Sequence, residues 1–273
     1  MRFINHDARQ PEQWRLRASP APSTESQVPI NRYKSTRLCA RLGRNAPLTM
    51  ADHSQLAAIP CQFRTIERSA FFQREGQSVT HFALIEDGLA CRQKFTNAGD
   101  RQIVAFHMRG DFLNLQNLFL STSEDNVQAV TRTRIMEFPM AALRRLVLNN
   151  ASIGRAIWIE ALADAAICHE WILNIGRRNA RARLAHLLCE LHTRLSASIE
   201  NGDRQLFSIT LEQFADALGL TSVHISRVLK WLTEQGVIER SKRRISVSKI
   251  AELRQIGDFN DSYLRVDQHQ AAP

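Results

Sequence analysis

The chain of 273 residues lacks the features that several protein classes require. Its best candidate for a membrane helix, residues 156–173, is interrupted by Glu160, Asp164, His169 and Glu170, whereas a membrane span needs about 18 largely uncharged residues. The 11 glycines are never closer than eleven positions. The glycine spacings of a dinucleotide-binding loop and of a Walker phosphate loop are therefore absent, and the sequence argues against a membrane protein and against both nucleotide-binding loops.

Cysteine and histidine are also too sparsely arranged for the usual metal sites. The five cysteines are at least 21 positions apart and follow no secretory signal, and the nine histidines form no HExxH motif. This usage favours a reducing cytoplasm over disulfides, a zinc site or an iron–sulfur cluster. Because no nucleophile elbow is present either, we expect a cytoplasmic protein that is not an enzyme and that holds no metal or cofactor.

The positive charge is distributed unevenly along the chain. The net charge is +9, and residues 177–254 carry 14 basic and 8 acidic residues, whereas residues 48–176 carry 12 and 13. A basic C-terminal third next to a neutral middle suggests that the C-terminal part contacts a polyanion, most simply nucleic acid. A solvated basic surface is the alternative that charge alone leaves open.

The first half of the chain changes character near residue 36. Residues 1–36 contain four prolines and a Ser/Thr cluster without apolar periodicity, which predicts a disordered tail, unless translation begins further downstream. A first helix is expected over residues 52–59. Alternating runs at 82–86, 90–95, 102–107, 127–133 and 134–138 predict strands of an all-β domain, and Asn97 to Asp100 predict a hairpin turn.

A long helix is predicted after Pro139. Six small or apolar side chains recur along it at alternating spacings of three and four, which places them on one seam: Trp158, Ala161, Ala165, Cys168, Ile172 and Ile175. Such a seam packs either on its own domain or on a second copy of the chain. A further helix follows, whose apolar side is formed by Leu184, Leu187, Leu188, Leu191 and Leu195.

The segment 210–247 carries the strongest local signals. Thr210 and Gln213 form a capping box, which predicts a helix from residue 211. Gly219 ends this helix, and Thr221 caps a second one that extends to about residue 235. Two helices joined by a short glycine turn make a helix-turn-helix, in which Ala215 allows close approach and Ile225 fills the angle between the helices.

Two short strands after the second helix enclose a basic tip and predict a wing. Polar and basic groups on the outer side of the second helix and on the wing are able to reach base edges and phosphates. The candidate DNA-binding residues are Thr221, Ser222, Val223, His224, Ser226, Arg227, Lys230, Lys242, Arg243 and Arg244. A purely structural helical hairpin is the alternative.

These motifs resemble the Crp/Fnr family of bacterial transcription regulators over roughly residues 40–257. The resemblance rests on Arg-Glu-Gly at 74–76, Glu-Asp-Gly at 86–88, Gly-Asp-Phe at 110–112, the long helix, and LGLTSVHISRVLKWL at 218–232. It implies an α+β fold: a tail (1–36), a cyclic-nucleotide-binding-like β jelly roll (37–150), a dimerisation helix (151–176), a winged helix-turn-helix (177–257) and a C-terminal tail (258–273). It also implies a homodimer that contacts double-stranded DNA and RNA polymerase.

The sequence departs from the family's cyclic-AMP-binding pattern at the expected effector pocket. The family's ribose-binding Glu and phosphate-binding Arg-Ser/Thr align with Leu115 and with Asp125-Asn126. An apolar side chain accepts no hydrogen bond from a hydroxyl, and a carboxylate repels a phosphate. The expected pocket therefore contains Gly110, Asp111 and Leu115, with Arg132 as a substitute cation, and cyclic AMP is not the expected effector.

Two further departures concern oxygen sensing and base reading. The oxygen-sensing branch of the family uses an N-terminal cysteine cluster, and only Cys39 lies in that region. Val223 stands where many relatives have a base-reading Glu, so the preferred DNA sequence is expected to differ. The sequence thus predicts a homodimeric, site-specific regulator with an unknown effector. The alternative is a signalling or interaction module whose winged helix docks protein.

Overall fold

A computed structural model describes residues 36–44, 46–198, 205–206, 209–241 and 244–265. Apart from its last residue, the tail expected over 1–36 lies outside the described residues, as does the second half, 266–273, of the tail expected over 258–273. The described chain begins with α1 (Thr36–Gly43) and α2 (Met50–Ala57). The sequence did not predict α1, which buries Leu38 and Leu42 completely. α2 begins at residue 50 rather than 52, because Thr49 and Asp52 form a capping box.

Seven strands of the described chain then form two antiparallel sheets. One sheet has the order β1-β7-β3 and the other β2-β6-β4-β5. Their bounds are β1 (Gln62–Ile66), β2 (Phe71–Gln73), β3 (His81–Asp87), β4 (Leu89–Phe95), β5 (Arg101–Met108), β6 (Asn126–Ala129) and β7 (Thr133–Pro139). Inward-facing residues of the two sheets form the core of this β domain, as the alternating sequence pattern predicts.

The strand predicted over residues 127–133 is too long. β6 ends at Ala129, and the backbone N–H groups of Val130 and Thr131 both donate to the carbonyl oxygen of Leu89. At this point the chain leaves the four-stranded sheet, and it joins the three-stranded sheet at Thr133. The predicted run therefore contains the end of one strand, a crossing segment and the start of another.

Three helices connect the β domain to the C-terminal part. They are α3 (Met140–Asn149), α4 (Ala151–Arg177) and α5 (Ala180–Ser198). α4 has 27 residues and is about 40 Å long at 1.5 Å per residue. It is the long helix that the sequence predicts. The five leucines predicted for the apolar side of α5 are all buried.

The C-terminal part is built from short elements. These are β8 (Gln205–Leu206), α6 (Leu211–Leu218), α7 (Ser222–Glu234), β9 (Ile238–Ser241), β10 (Arg244–Val247) and α8 (Ile250–Ile256). The strands form one antiparallel sheet in the order β8-β10-β9. The sequence predicted β9 and β10 as a wing, and the structure adds β8, whose two residues are too few for a sequence pattern.

The β domain packs directly against the C-terminal part. Leu89, Ile103 and Phe106 of β4 and β5 share a hydrophobic core with Leu188 of α5 and Phe214 of α6. At the edge of this core, the guanidinium of Arg101 lies 2.6 Å from the carboxylate of Asp216 in α6, and Gln102 donates to the carbonyl oxygen of Ala217 at 3.3 Å. The β4–β5 hairpin therefore holds the first helix of the helix-turn-helix in place.

A second contact between the β domain and the C-terminal part involves the buried carboxylate of Glu190 and the side chain of Arg194. Glu190 of α5 is completely buried and accepts hydrogen bonds from the Trp171 indole at 2.9 Å and the Tyr263 hydroxyl at 3.0 Å. Arg194 lies 3.0 Å from Glu190 and 2.6 Å from Asp111 of the β domain. Arg194 thus connects the two parts of the chain through two carboxylates.

Candidate nucleic-acid interface and effector cavity

Helix α6 begins and ends where its local sequence predicts. The hydroxyl of Thr210 accepts from the backbone N–H of Gln213 at 3.1 Å, and the Gln213 side chain accepts from the N–H of Thr210 at 2.9 Å. Gly219 has φ +61°, a left-handed conformation that glycine adopts without strain. The reciprocal cap and this glycine confirm both ends of the helix.

Helix α7 is fixed by a cap and by one plugging side chain. The hydroxyl of Thr221 accepts from the backbone N–H of His224 at 3.2 Å. Ile225 is fully buried, and Ala215 of α6 is 5% exposed, which are the positions that the sequence assigned to close helix contact. A buried side chain in the angle between the helices fixes their relative orientation, so the outer side of α7 is presented as a rigid surface.

The outer side of α7 carries most of the predicted DNA-binding residues. Residues exposed to solvent are Thr221, Ser222, Val223, His224, Arg227 and Lys230, and Ser226 is half-buried. The ammonium of Lys230 lies 3.7 Å from Glu234, one turn further along the helix. The structure therefore brings seven of the ten predicted residues together on one helix and its N-cap, and Arg227 is among the exposed ones.

The wing supplies the remaining candidates. β9 and β10 pair in an antiparallel register in which Arg244 faces Ser241 and Ile245 faces Arg240. Ile245 is buried and anchors the strand in the core, while Arg244 is exposed at the tip. Lys242 and Arg243 lie outside the described residues, and their contribution stays a prediction.

The predicted seam of α4 is largely uncovered in the single chain. Trp158 is 64% exposed and Ile172 63% exposed, and Ala165 and Cys168 are exposed as well, while Ala161 and Ile175 are half-buried. The structure adds Leu162 and Leu173, both exposed on α4, which the sequence analysis did not assign to the seam. The long helix thus presents an apolar stripe that its own domain does not bury.

The region of the expected effector pocket contains only a small cavity. Its volume is about 40 Å³, room for a few water molecules, and it lies between β5, α4 and the loop after β5. Asp111 and Leu115 line it, whereas Gly110 does not contribute to the wall. The assignment of Arg132 was wrong: its side chain is 74% exposed and pairs with Glu67 at 3.2 Å, in the crossing segment after β6.

Charged side chains fill the space around this cavity. Arg92 of β4 lies 2.9 Å from Asp164 of α4 and 3.8 Å from Asp125. On the other side, Arg41 lies 2.8 Å from Glu160. The sequence analysis missed these ion pairs, since their partners come from different elements far apart in the chain. Arg92 is a cation near Asp125, and it already has carboxylate partners.

Burial shifts the pKa values of two groups in the cavity wall. Desolvation lowers the pKa of His107 to about 3, and the nearby positive charge of Arg92 acts in the same direction. Burial opposes ionisation of Asp111, yet the Arg194 and Arg41 guanidinium groups hold the pKa of that carboxyl below its usual value. At neutral pH His107 is therefore uncharged while Asp111 is ionised.

The described residues contain no group of three or more His, Cys, Asp or Glu side chains placed to hold a metal ion. All five cysteines are free thiols. None of the described helices is long and apolar enough to cross a membrane.

Two family patterns match the chain, and they divide it as the fold does. Residues 63–150 match the cyclic nucleotide-binding domain, and residues 182–256 match the Crp-like helix-turn-helix domain. The anaerobic regulatory protein of Aggregatibacter actinomycetemcomitans is 24% identical over 222 residues, which cover 81% of this chain and 86% of that protein. The transcriptional activator protein FnrL of Cereibacter sphaeroides is 28% identical over 197 residues, which cover 70% of this chain and 79% of that protein.

Solved structures show the same fold. FixK2 from Bradyrhizobium japonicum superimposes with a TM-score of 0.67 at 20% identity and covers 72% of this chain and 98% of its own. TTHB099 from Thermus thermophilus, a transcriptional regulator of the CRP family, gives a TM-score of 0.58 at 18% identity, with coverage of 71% and 96%.

Proposed function

The chain belongs to the Crp/Fnr family of DNA-binding transcription regulators, and we propose that it acts as a homodimer on a palindromic promoter site that it reads through α7. The observation that carries this proposal is the exposed outer side of α7, which two capped helix ends and the buried Ile225 hold rigid. Its Ser, His, Arg and Lys side chains are hydrogen-bond donors suited to base edges and phosphates.

The apolar stripe of α4 supports the homodimer. Trp158, Leu162 and Ile172 are large apolar side chains that the described part of the chain leaves exposed on one helix. A two-fold interface between two α4 helices buries the same stripe on both copies. It also places two α7 helices in a symmetric arrangement, so we expect half-sites about 34 Å apart, one helical turn of DNA.

Arg227 is the main base reader in this proposal. It is exposed on α7, and no ion pair within the described part of the chain occupies its guanidinium, whereas Lys230 pairs with Glu234. A free guanidinium binds the O6 and N7 atoms of guanine in a bidentate way. Lys230 lies nearly one turn further along α7 and is assigned to phosphate.

The test compares Arg227→Ala with Lys230→Ala on a site obtained by genome-wide footprinting. Arg227→Ala should cost about 1 to 3 kcal/mol and flatten the preference at one base pair per half-site. Lys230→Ala should weaken binding to all sequences equally. Uniform weakening by Arg227→Ala would assign that residue to phosphate. A wild-type protein that shifts no DNA would favour the alternative, a winged helix that docks protein.

Cyclic AMP is not the effector in this proposal. Leu115 and Asp125 replace two of the family's ligand-binding groups, and the loss of two charge-assisted hydrogen bonds costs about 3 to 6 kcal/mol, or two to four orders of magnitude in affinity. The two cations near Asp125 are already engaged, Arg92 by Asp164 and Lys94 by Glu75. Calorimetric titration should show no binding at low micromolar concentration, and DNA binding should not require the nucleotide. Micromolar binding would refute this assignment.

The remaining family properties are proposals of the same kind. A cytoplasmic regulator that binds a promoter as a dimer is expected to contact RNA polymerase when it activates. Transcription assays with purified RNA polymerase on the footprinted promoter test this contact directly.

A further inference from the structure

Four arginines lie around the junction of α4 and α5, at positions 177, 178, 181 and 183. Those at 178, 181 and 183 make different contacts with the rest of the protein. Arg178 lies 2.8 Å from the carboxylate of Glu170. Arg183 donates to the carbonyl oxygens of Arg178 at 2.8 Å and Leu218 at 3.1 Å. These two side chains hold α4, α5 and α6 together. The Nε and Nη1 groups of Arg178 have no hydrogen-bond partner but are buried, so they are out of reach of a ligand at the surface.

Arg181 is engaged in another way. Its guanidinium carbon lies 4.2 Å from the centre of the Trp231 ring, and its side chain is exposed. Within the described residues it has no carboxylate partner. A stacked guanidinium uses its face for the aromatic ring and keeps its N–H groups free at its edge. Arg181 therefore combines a fixed position with unused donors.

The position of Trp231 places Arg181 beside the DNA-binding surface. Trp231 follows Arg227 by four residues on α7, so the two side chains leave the helix about 40° apart, with Trp231 about 6 Å further along the axis. Trp231 lies on the flank of α7 that faces α5. The Arg181 guanidinium stacked on it therefore lies next to the exposed face that carries Arg227. If α7 enters the major groove, a strand of the DNA backbone borders the helix on this side.

The start of α5 does not offer competing donors at this point. The side chain of Asn179 accepts from the backbone N–H groups of Arg181 and Ala182, both at 3.1 Å. These amides are therefore already satisfied. The Arg181 side chain, and not the helix end, is the group left to bind an anion.

We infer that Arg181, positioned by stacking on Trp231, binds a phosphate of the DNA backbone next to the α7 binding face. The inference rests on the proposed use of α7 as the DNA-reading helix. A bidentate guanidinium contact matches two phosphate oxygens, and holding the side chain on the indole ring reduces the ordering cost on binding. Arg181 thus adds affinity and orientation to the complex without reading sequence.

Salt dependence of binding to a 30-base-pair duplex of mixed sequence tests the inference. Loss of one phosphate contact per protomer should lower the slope of log affinity against log salt by about 2 per dimer. In Arg181→Gln, the fall in affinity between 50 and 200 mM salt should then be about 12-fold smaller than in the wild type. Arg181→Lys keeps the charge and should keep most of the slope.

Two further variants distinguish the effect of the stacked position of Arg181 from the effect of its positive charge. Trp231→Leu leaves the charge of Arg181 in place but removes the aromatic ring on which Arg181 stacks. The DNA affinity of this variant should therefore lie between the affinities of the wild type and of Arg181→Gln. Arg68→Gln removes the same charge from an exposed turn of the β domain and should leave the slope unchanged. Thermal unfolding and the active fraction are measured for each variant.

An Arg181→Gln slope equal to that of Arg68→Gln would overturn the inference while leaving the proposed function intact. So would an Arg181→Gln protein that is less stable but whose folded fraction binds with the wild-type slope, since the stack would then be purely structural. A changed base preference in Arg181→Gln would also overturn it in favour of base reading. Failure of the wild type to bind any duplex would overturn both the inference and the proposed function.

Discussion

Acidification should destabilise this protein well above the pH at which carboxylates titrate, because two of its histidines are buried and uncharged. Desolvation lowers the pKa of His107 and of His186 to about 3 each. Both side chains are almost fully buried, at 4% and 1% exposure, whereas in the unfolded chain they titrate near pH 6.5. The carboxylate nearest His186, Glu170 at 3.2 Å, is paired with Arg178 at 2.8 Å, and the Arg178 charge disfavours protonation of His186. The unfolded state therefore takes up protons first as the pH falls.

The size of the effect follows from linkage between protonation and folding. With pKa values of about 3 in the folded and about 6.5 in the unfolded chain, each histidine costs about 2 kcal/mol of unfolding free energy between pH 7 and pH 5. The two together cost about 4 kcal/mol, a large part of the 5 to 15 kcal/mol typical of a domain. Stability is fully present above pH 7 and is lost as the pH falls from about 6.5 towards 3.

Urea unfolding at pH 7 and pH 5 measures this loss. In His107→Gln only His186 remains to titrate, so the loss between the two pH values should fall to about half that of the wild type. His81→Gln is the control, because that side chain lies near the surface and hydrogen-bonds the Thr80 hydroxyl. An equal loss in His107→Gln and wild type would refute a buried, neutral His107.

Three further changes test the winged helix-turn-helix. Ile225→Ala should lower the unfolding free energy by about 2 to 5 kcal/mol, because it empties the angle between α6 and α7; a loss below 1 kcal/mol in denaturant unfolding would contradict that packing. Gly219→Ala should cost about 1 to 2 kcal/mol for its positive φ alone, because a Cβ there meets nothing closer than 3.7 Å. Gly219→Asn should cost less, because asparagine tolerates the left-handed conformation; equal stability of all three proteins would disprove this strain. Neutralising Lys242, Arg243 and Arg244 should lower the salt slope of DNA binding by up to about five, and an unchanged slope would exclude the wing from the interface.

Local signals in the sequence were sufficient for the helix-turn-helix. The Thr210 and Thr221 caps, Gly219 and Ile225 each act within a few residues, so their spacing alone determines the geometry. Strands were predictable for the same reason wherever alternation was uninterrupted, as in β4 and β5. The prediction failed for Arg132, since alternation was counted through residues after Ala129 that no longer belong to a strand.

The small charged cavity between β5 and α4 could not be predicted from the sequence. Arg92 and Asp164 are 72 positions apart, and Arg41 and Glu160 are 119 positions apart. A charged residue in an alternating strand is normally exposed, and the identity of its partner depends on how α4 crosses the β domain. Only tertiary packing brings these charges together, so no local sequence pattern predicts the ion pairs.

The contact between Arg101 and Asp216 limits how freely the halves of this protein can be exchanged with those of its relatives. A chimera that joins this β domain to another regulator's DNA-binding domain keeps Arg101 and Gln102. It loses the Asp216 carboxylate that pairs with Arg101 and the position of the Ala217 carbonyl oxygen that accepts from Gln102. The graft would also have to match the apolar surface of Ile103 and Phe106. Recombination that preserves function should therefore carry the tip of the β4–β5 hairpin along with the DNA-binding domain, although the two are more than a hundred residues apart in the chain.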